Sequence, residues 1–253
     1  MKIGMVSDSP GHLSFEDMPD TAARLGVQGV EINAASWTSA PHMRLADLLA
    51  SSTERRGFLA AIKRRGLGLI ALNANGNQLH PTDGKRQSNA LYDTIRLAGA
   101  LGVETVVPMS GLPEGGKGDS TPNWVVASWP PETQAILKYQ WEDRLPPYWA
   151  KLALHAKGAF ISKPVCALTR RLENGSPTDV PGRAWSYITP GYGNGESWWR
   201  DFCYRLRMAG YDGWLAIAHE DVLPSREEGV LKSVRLPQDV APSEASDYKP
   251  QAI

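Results

Sequence analysis

The stretch GYGNGESWWRDFCYRLRMAGYDGWLAIAHED, Gly191–Asp221, constrains this chain more than any other. It reads as a loop, a helix with Trp199, Cys203 and Leu206 on one stripe, a tight turn and an apolar strand. Three ionisable residues follow, His219, Glu220 and Asp221. A helix leading through a short turn into a buried strand is part of a βα repeat and predicts a parallel sheet covered by helices. In barrels of this kind the chemistry lies beyond the carboxyl ends of the strands. Side chains alternate across a strand, so if Ala216 and Ala218 face inward, His219 faces the helices. The three ionisable residues then serve as readily to support loops or cap helices as to meet a substrate.

The same grammar recurs upstream. Lys2–Val6 reads as a strand, and Ser14 with Asp17 forms a capping-box pattern before a helix that Gly26 stops. Val27–Ile32 is a second strand ending near Glu31 and Asn33. Arg44–Arg65 is predicted helical, with Leu45, Leu48, Leu49, Leu59 and Ile62 as its apolar stripe. Leu67–Ala74, the helix Lys85–Leu101 and the strand Val103–Met109 complete the regular part. Helical pattern resumes near Glu132 and continues through Lys157, with a break expected at Pro146-Pro147. Five strands are well marked. A sixth, Phe160–Leu168, is weakened by Pro164, and Arg170–Pro190 reads as irregular. A short helix, Arg226–Val234, closes the pattern, so 1–240 reads as one domain and 241–253 as a flexible tail.

With 253 residues, 42% of them hydrophobic, the chain can bury a large core within the size of a single α/β barrel. A formal net charge of zero points to no nucleic-acid or membrane surface. No apolar run approaches the roughly 20 residues of a membrane helix. The beginning, MKIGMVSDSPG, enters a strand pattern at once and offers no signal-peptide core, so a cytoplasmic location is expected. Two cysteines argue against a disulfide framework.

Several motifs carry possible chemistry. Asn73–Pro81, NANGNQLHP, stands at a strand end. It is either a turn that uses Asn and Gly for left-handed positions, or a polar pocket in which Asn75 and Asn77 bind hydroxyls and His80 acts as acid or base. The segment from Ser110 to Pro130 is rich in Gly, Pro and Trp, and loops of that length are usually functional. Its opening, SGLPEGGKGD, lacks the ending of a phosphate-binding P-loop and reads as a lid or substrate loop. Nine tryptophans suit core packing, or stacking on the C–H faces of sugars, for which Trp124, Trp129 and Trp141, in or beside the long loop, are candidates.

Taken together, the stretches GMVSDSPGHLSFED, GVEINAAS, ALNANGNQLHP, LGVETVVPMSG, QWEDRLPPYW, GRAWSYITPGYGNGE and RMAGYDGWLAIAHED resemble the sugar phosphate isomerase/epimerase group of the xylose-isomerase-like TIM-barrel superfamily. The resemblance implies an α/β fold of (β/α)8 type acting on a small-molecule carbohydrate or polyol by proton transfer. Some relatives in the group are catalytic subunits of C-glycoside-cleaving lyases. It also implies one divalent cation, Mn2+ or Mg2+, held by oxygen ligands and a His at the strand ends. His80, Glu142 and Glu220 are then the catalytic candidates, with Glu31 a further carboxylate, and Asn75, Asn77, Trp124 and Trp185 the substrate-binding ones.

Two departures from the pattern bear on the metal. The helix ending YWAKLALHAKGA meets FISKPVCALTRRLENG where the resemblance expects a strand carrying a carboxylate, so the barrel is expected to be incomplete or rearranged around 158–170. Relatives read Ile-Glu-His-Glu-Asp at the last strand, and here Ala218 stands in the inward position. No metal ligand is therefore assigned. A degenerate, non-catalytic binding relative is the alternative, and a homo-oligomer or a partner subunit is expected if sheet edges stay open.

Overall fold

The computed structural model describes residues 1–126, 129–155, 166–168 and 185–244, with the backbone alone for 166–168 and 185–186. The chain folds as an α/β protein. Its main sheet holds β1 (Lys2–Val6), β2 (Gly29–Asn33), β3 (Gly68–Ala74), β4 (Val106–Pro108) and β7 (Trp214–Ile217) in the order β4-β3-β2-β1-β7. These are the five strands that the apolar runs predicted. β1 pairs in parallel with both β2 and β7, and β3 with β4. The last strand in sequence thus lies beside the first, the cyclic order of a (β/α)8 barrel, while consecutive strands elsewhere are neighbours joined by helices. A separate antiparallel pair joins β5 (Cys166–Leu168) to β6 (Trp185–Tyr187). The strand at 185–187 falls where the sequence suggested irregular chain, because cross-strand pairing supplies what its local pattern does not. The expected rearrangement at 158–170 lies outside the described residues except for β5.

The chain groups into two compact units, 1–31 with 60–70 and the part from 163, and 32–59 with 71–162. In the first, α1 (Asp17–Arg24) is opened by Ser14, whose Oγ accepts the Asp17 N–H at 3.1 Å. Helices α7 (Glu196–Met208) and α8 (Arg226–Val240) cover one face of β7. Leu215, Trp199, Leu206 and Leu236 pack there around buried Cys203 and Val240. The opposite face belongs to glycines. Gly4 pairs with both Gly29 and Ala216, and with Gly68 these positions leave room for Ile70 and the Trp214 indole. Helix α8 runs six residues past the predicted end, through Pro237, which is buried with Val234 and Val240.

In the second unit the predicted helix Arg44–Arg65 is two helices, α2 (Leu45–Ala50) and α3 (Ser52–Lys63), the latter ending in the first unit. Ser51 between them is extended, and its Oγ accepts the Glu54 N–H at 3.2 Å. That Ser-x-x-Glu signature was legible but overshadowed by a continuous apolar stripe. Helix α4 (Gly84–Leu101) buries Leu91, Leu97 and Ala98 and ends on Gly102 at φ 71°. Past β4, helices α5 (Glu132–Tyr139) and α6 (Leu145–His155) are joined by one π turn, Gln140–Arg144. Pro146 and Pro147 have no N–H for the carbonyls of Glu142 and Asp143. The wider turn, in which Leu145 N–H donates to the Gln140 carbonyl, lets the helix continue where a break was expected. No helix among the described residues is long and apolar enough to cross a membrane.

Candidate functional site

In the first unit the polar groups gather just beyond β7. Pairing of Gly4 with Ala216 fixes the register. It places Trp214, Ala216 and, by continued alternation, Ala218 on the glycine face, and Leu215, Ile217 and His219 on the helix face. His219 is buried, with its ring over Gly229 of α8. Its backbone N–H donates to Ser9 Oγ at 2.9 Å. Asp221 accepts three hydrogen bonds: Thr189 N–H at 2.7 Å, Thr189 O–H at 2.9 Å and Leu223 N–H at 3.0 Å. The Thr189 hydroxyl gives its single proton to Asp221, so at 3.4 Å it accepts from His219 Nε2–H. The ring is therefore the Nε2–H tautomer, and Nδ1 has no described partner.

Burial pushes the His219 pKa down, against the opposing field of Asp221 and with that of Arg226. Asp221 meets the same desolvation, but the hydrogen bonds from Leu223 and Thr189 outweigh it and hold the carboxyl below its usual range. Below about pH 6.5 the unfolded chain takes up a proton that folded His219 resists, so stability is full above that value and falls as pH drops toward the folded pKa. We expect urea midpoints to fall between pH 7 and pH 5, and His219→Gln to flatten that slope. An equally steep slope in the variant would remove His219 from the explanation.

In the second unit the turn after β3 gathers the other candidates. His80 Nδ1 accepts the N–H groups of Thr82 and Asp83, each at 3.2 Å, and so caps the start of α4. Its proton consequently sits on Nε2. Asp83 is held down to about 2 by hydrogen bonds from Arg86 and then Gln87. Asn77 is buried, and both polar atoms of its carboxamide are engaged. Nδ2 donates to the Leu112 carbonyl at 2.8 Å, while Oδ1 accepts from Leu112 N–H at 2.7 Å and Leu79 N–H at 3.2 Å. It pins the turn to the segment after β4. Asn75 is half-buried, with its N–H on Asn73 Oδ1 and its carbonyl accepting from Trp37.

That segment is tied down rather than built as a free lid. Gln140 Nε2 donates to the carbonyls of Pro113, Glu114 and Asn123. Glu114, a residue the sequence did not single out, is buried, paired with Arg144 at 2.9 Å, and accepts the Tyr139 hydroxyl at 2.7 Å. That bond raises the Tyr139 pKa. Only its place in a Gly-rich loop after a strand could have signalled it. Glu142, on the π turn, is exposed, with Lys138 at 4.0 Å as its ion-pair partner. Trp124 is 75% exposed. Glu220 is exposed, Glu31 is buried, and the Trp185 side chain lies outside the described residues.

The donor set can be tested against a divalent cation. Among the described residues no three His, Cys, Asp or Glu side chains are grouped to hold one. The last strand presents the exposed methyl of Ala218 on its glycine face. His219 is turned to the helices, and the carboxylate of Asp221 is spent on Thr189 and Leu223. The described residues do not fit the cation.

No protein-family model matches the chain. The uncharacterized protein YfiH of Bacillus subtilis (strain 168) is 34% identical, over 92% of this chain and 97% of YfiH. The chain belongs to the YfiH family. The YfiH alignment runs over 304 residues, against 253 in this chain, so YfiH carries residues with no counterpart here. Solved structures share the fold. A D-tagatose 3-epimerase-like protein matches with a TM-score of 0.55 at 15% identity, covering 95% of this chain and 97% of its own. D-psicose 3-epimerase, solved in the presence of D-fructose, gives 0.51 at 14%, covering 95% and 99%. A xylose isomerase domain protein from Planctomyces limnophilus gives 0.51 at 12%, covering 94% and 96%. This chain thus shares its fold with these proteins, the likeness first read from the motifs.

Proposed function

We propose that this protein is a carbohydrate- or polyol-directed member of the isomerase/epimerase fold, with proton transfer at a carbon beside a carbonyl as its reaction class. The observation that carries the reading is the parallel sheet with its last strand beside the first, in a chain whose fold is similar over nearly its whole length to that of a D-psicose 3-epimerase solved with D-fructose. His80 is the residue best set for a role in proton transfer. Two backbone N–H groups occupy Nδ1 and fix the ring, so a neutral His80 donates from Nε2, and a substrate hydroxyl or carbonyl oxygen is the group it would meet. Asn77 holds that turn in place, and Asn75 and the exposed Trp124 offer amide and indole surface to a sugar. Mn2+ or Mg2+, the cation that the resemblance implies, would polarise the carbonyl. The described residues of this chain do not supply its cage, and no step is routed through it.

A second reading, a binding protein that has lost turnover, is favoured by Ala218 on the glycine face of β7 and by the use of both polar atoms of the Asn77 amide within the fold. One experiment separates them. The chain is assayed with D-fructose, D-psicose and a keto-C-glycoside, with and without added Mn2+, and sugar binding is followed by calorimetry. Interconversion of the ketoses supports the enzyme and sinks the binder. Binding without turnover does the reverse, and cleavage of the C-glycoside moves the reaction to the lyase class. Neither binding nor turnover overturns both. Ala218→Glu alone is expected to leave Mn2+ affinity unchanged, because one carboxylate does not make a site.

A further inference from the structure

The first unit contains a cavity of about 420 Å3 on the helix side of β1, between α1 and the start of α8. Its floor is apolar: Met5, Leu25 and Val230 line it, each of them buried. Met5 belongs to the face of β1 opposite Gly4, so the cavity lies on the other side of the sheet from Ala216 and Trp214. The polar groups at its wall are unequal in charge. Arg24 is neutralised by Glu227, with which it forms an ion pair. Arg226 has no carboxylate partner among the described residues. Its Nη1 donates to the carbonyls of Asp8 at 3.3 Å and Ser9 at 3.1 Å, which fixes the guanidinium at the wall. Nε and Nη2 make no described hydrogen bond. Ser9 is 1% exposed and lines the same cavity. Its Oγ accepts from His219 N–H, and its own proton has no described acceptor.

We propose that this cavity binds a small amphipathic organic anion, with a carboxylate or phosphate head on Arg226 and Ser9 and an apolar body over Met5, Leu25 and Val230. Charge fixes the head. An anchored guanidinium with free N–H groups takes an oxyanion by charge-assisted hydrogen bonds, and a buried hydroxyl proton gains an acceptor. The floor fixes the body, since a fully hydrated anion such as inorganic phosphate would leave apolar wall exposed to water. The inference stands apart from the proposed carbohydrate chemistry, which uses residues of the second unit.

Calorimetry of the full chain with octanoate, 1-octanol and inorganic phosphate tests it. Octanoate is expected to bind, octanol and phosphate each at least tenfold more weakly. Arg226→Gln should weaken octanoate by about tenfold to a hundredfold, the range of a lost charged hydrogen bond. Hexyl phosphate in place of octanoate shows which head is preferred, and either preference fits. If Arg226→Gln misfolds by circular dichroism, Leu13→Trp, which fills the cavity from its rim, gives the second reading and should abolish binding. Absence of octanoate and hexyl phosphate binding at millimolar concentration, or binding that both variants retain, overturns the proposal. Ketose turnover or ketose binding, tested separately, is expected to be the same in Arg226→Gln.

Discussion

Gly229→Ala should destabilise this protein, although alanine is the better helix former by about 1 kcal/mol. A Cβ on Gly229 would fall directly on the His219 ring, against Nε2, Cε1 and Cδ2 together. The ring cannot step aside cheaply. It is buried, its Nε2 faces Thr189, and its backbone is held by Ser9. Either α8 moves outward or His219 leaves its place and disturbs the Thr189–Asp221 pair. Overpacking of this kind costs about 1–3 kcal/mol, which for a chain of this size is a fall of several degrees in melting temperature. Thermal unfolding followed by circular dichroism measures it. The double variant Gly229→Ala with His219→Ala should recover most of the loss, because the clash is pairwise. A single variant that melts at or above the parent temperature would show that His219 does not lie against α8.

Gly29→Ala should cost a similar or larger amount, on the other face of the sheet. There a Cβ would overlap Ile70 Cγ2, and it would stand 3.0 Å from the Gly68 carbonyl oxygen and 3.1 Å from Trp214 Cη2. Backbone and a wide indole surround it, so only Ile70 can yield. At least about 1–3 kcal/mol is expected. Ile70→Ala in the same chain should return part of it, since that substitution also clears the space beside Gly4. Chemical denaturation of the single and double variants gives the coupling. Additive losses would mean that the glycine face is not packed by Ile70 and Trp214 as described.

These two glycines mark where sequence reading stops. GVEI and AGYDGW reveal strands and turns, and alternation put His219 on the face opposite Ala216 and Ala218. That His219 would then need a glycine on α8 follows only from bringing residues 219 and 229 into contact. Asn77 is a similar case. Its place at a strand end and its chemistry suit both a sugar pocket and a turn, and only the approach of Leu112 shows how both atoms of its amide are used. Glu114 gave no signal, because its meaning comes from Tyr139 and Arg144, some 25 and 30 residues away.

The sequence by itself determined the five parallel strands and the helices between them, the α/β class, the likeness to the sugar isomerases and epimerases and the methyl group at position 218. Those depend on local periodicity and residue identity, which a linear chain carries in full. The tertiary structure decided the strand order, the split of the predicted helix at Ser51, the π turn before Pro146 and Pro147 and the partners of buried polar groups such as Asn77, Glu114 and Asp221. Those depend on which distant backbone groups satisfy one another once water is excluded, and no local pattern encodes that.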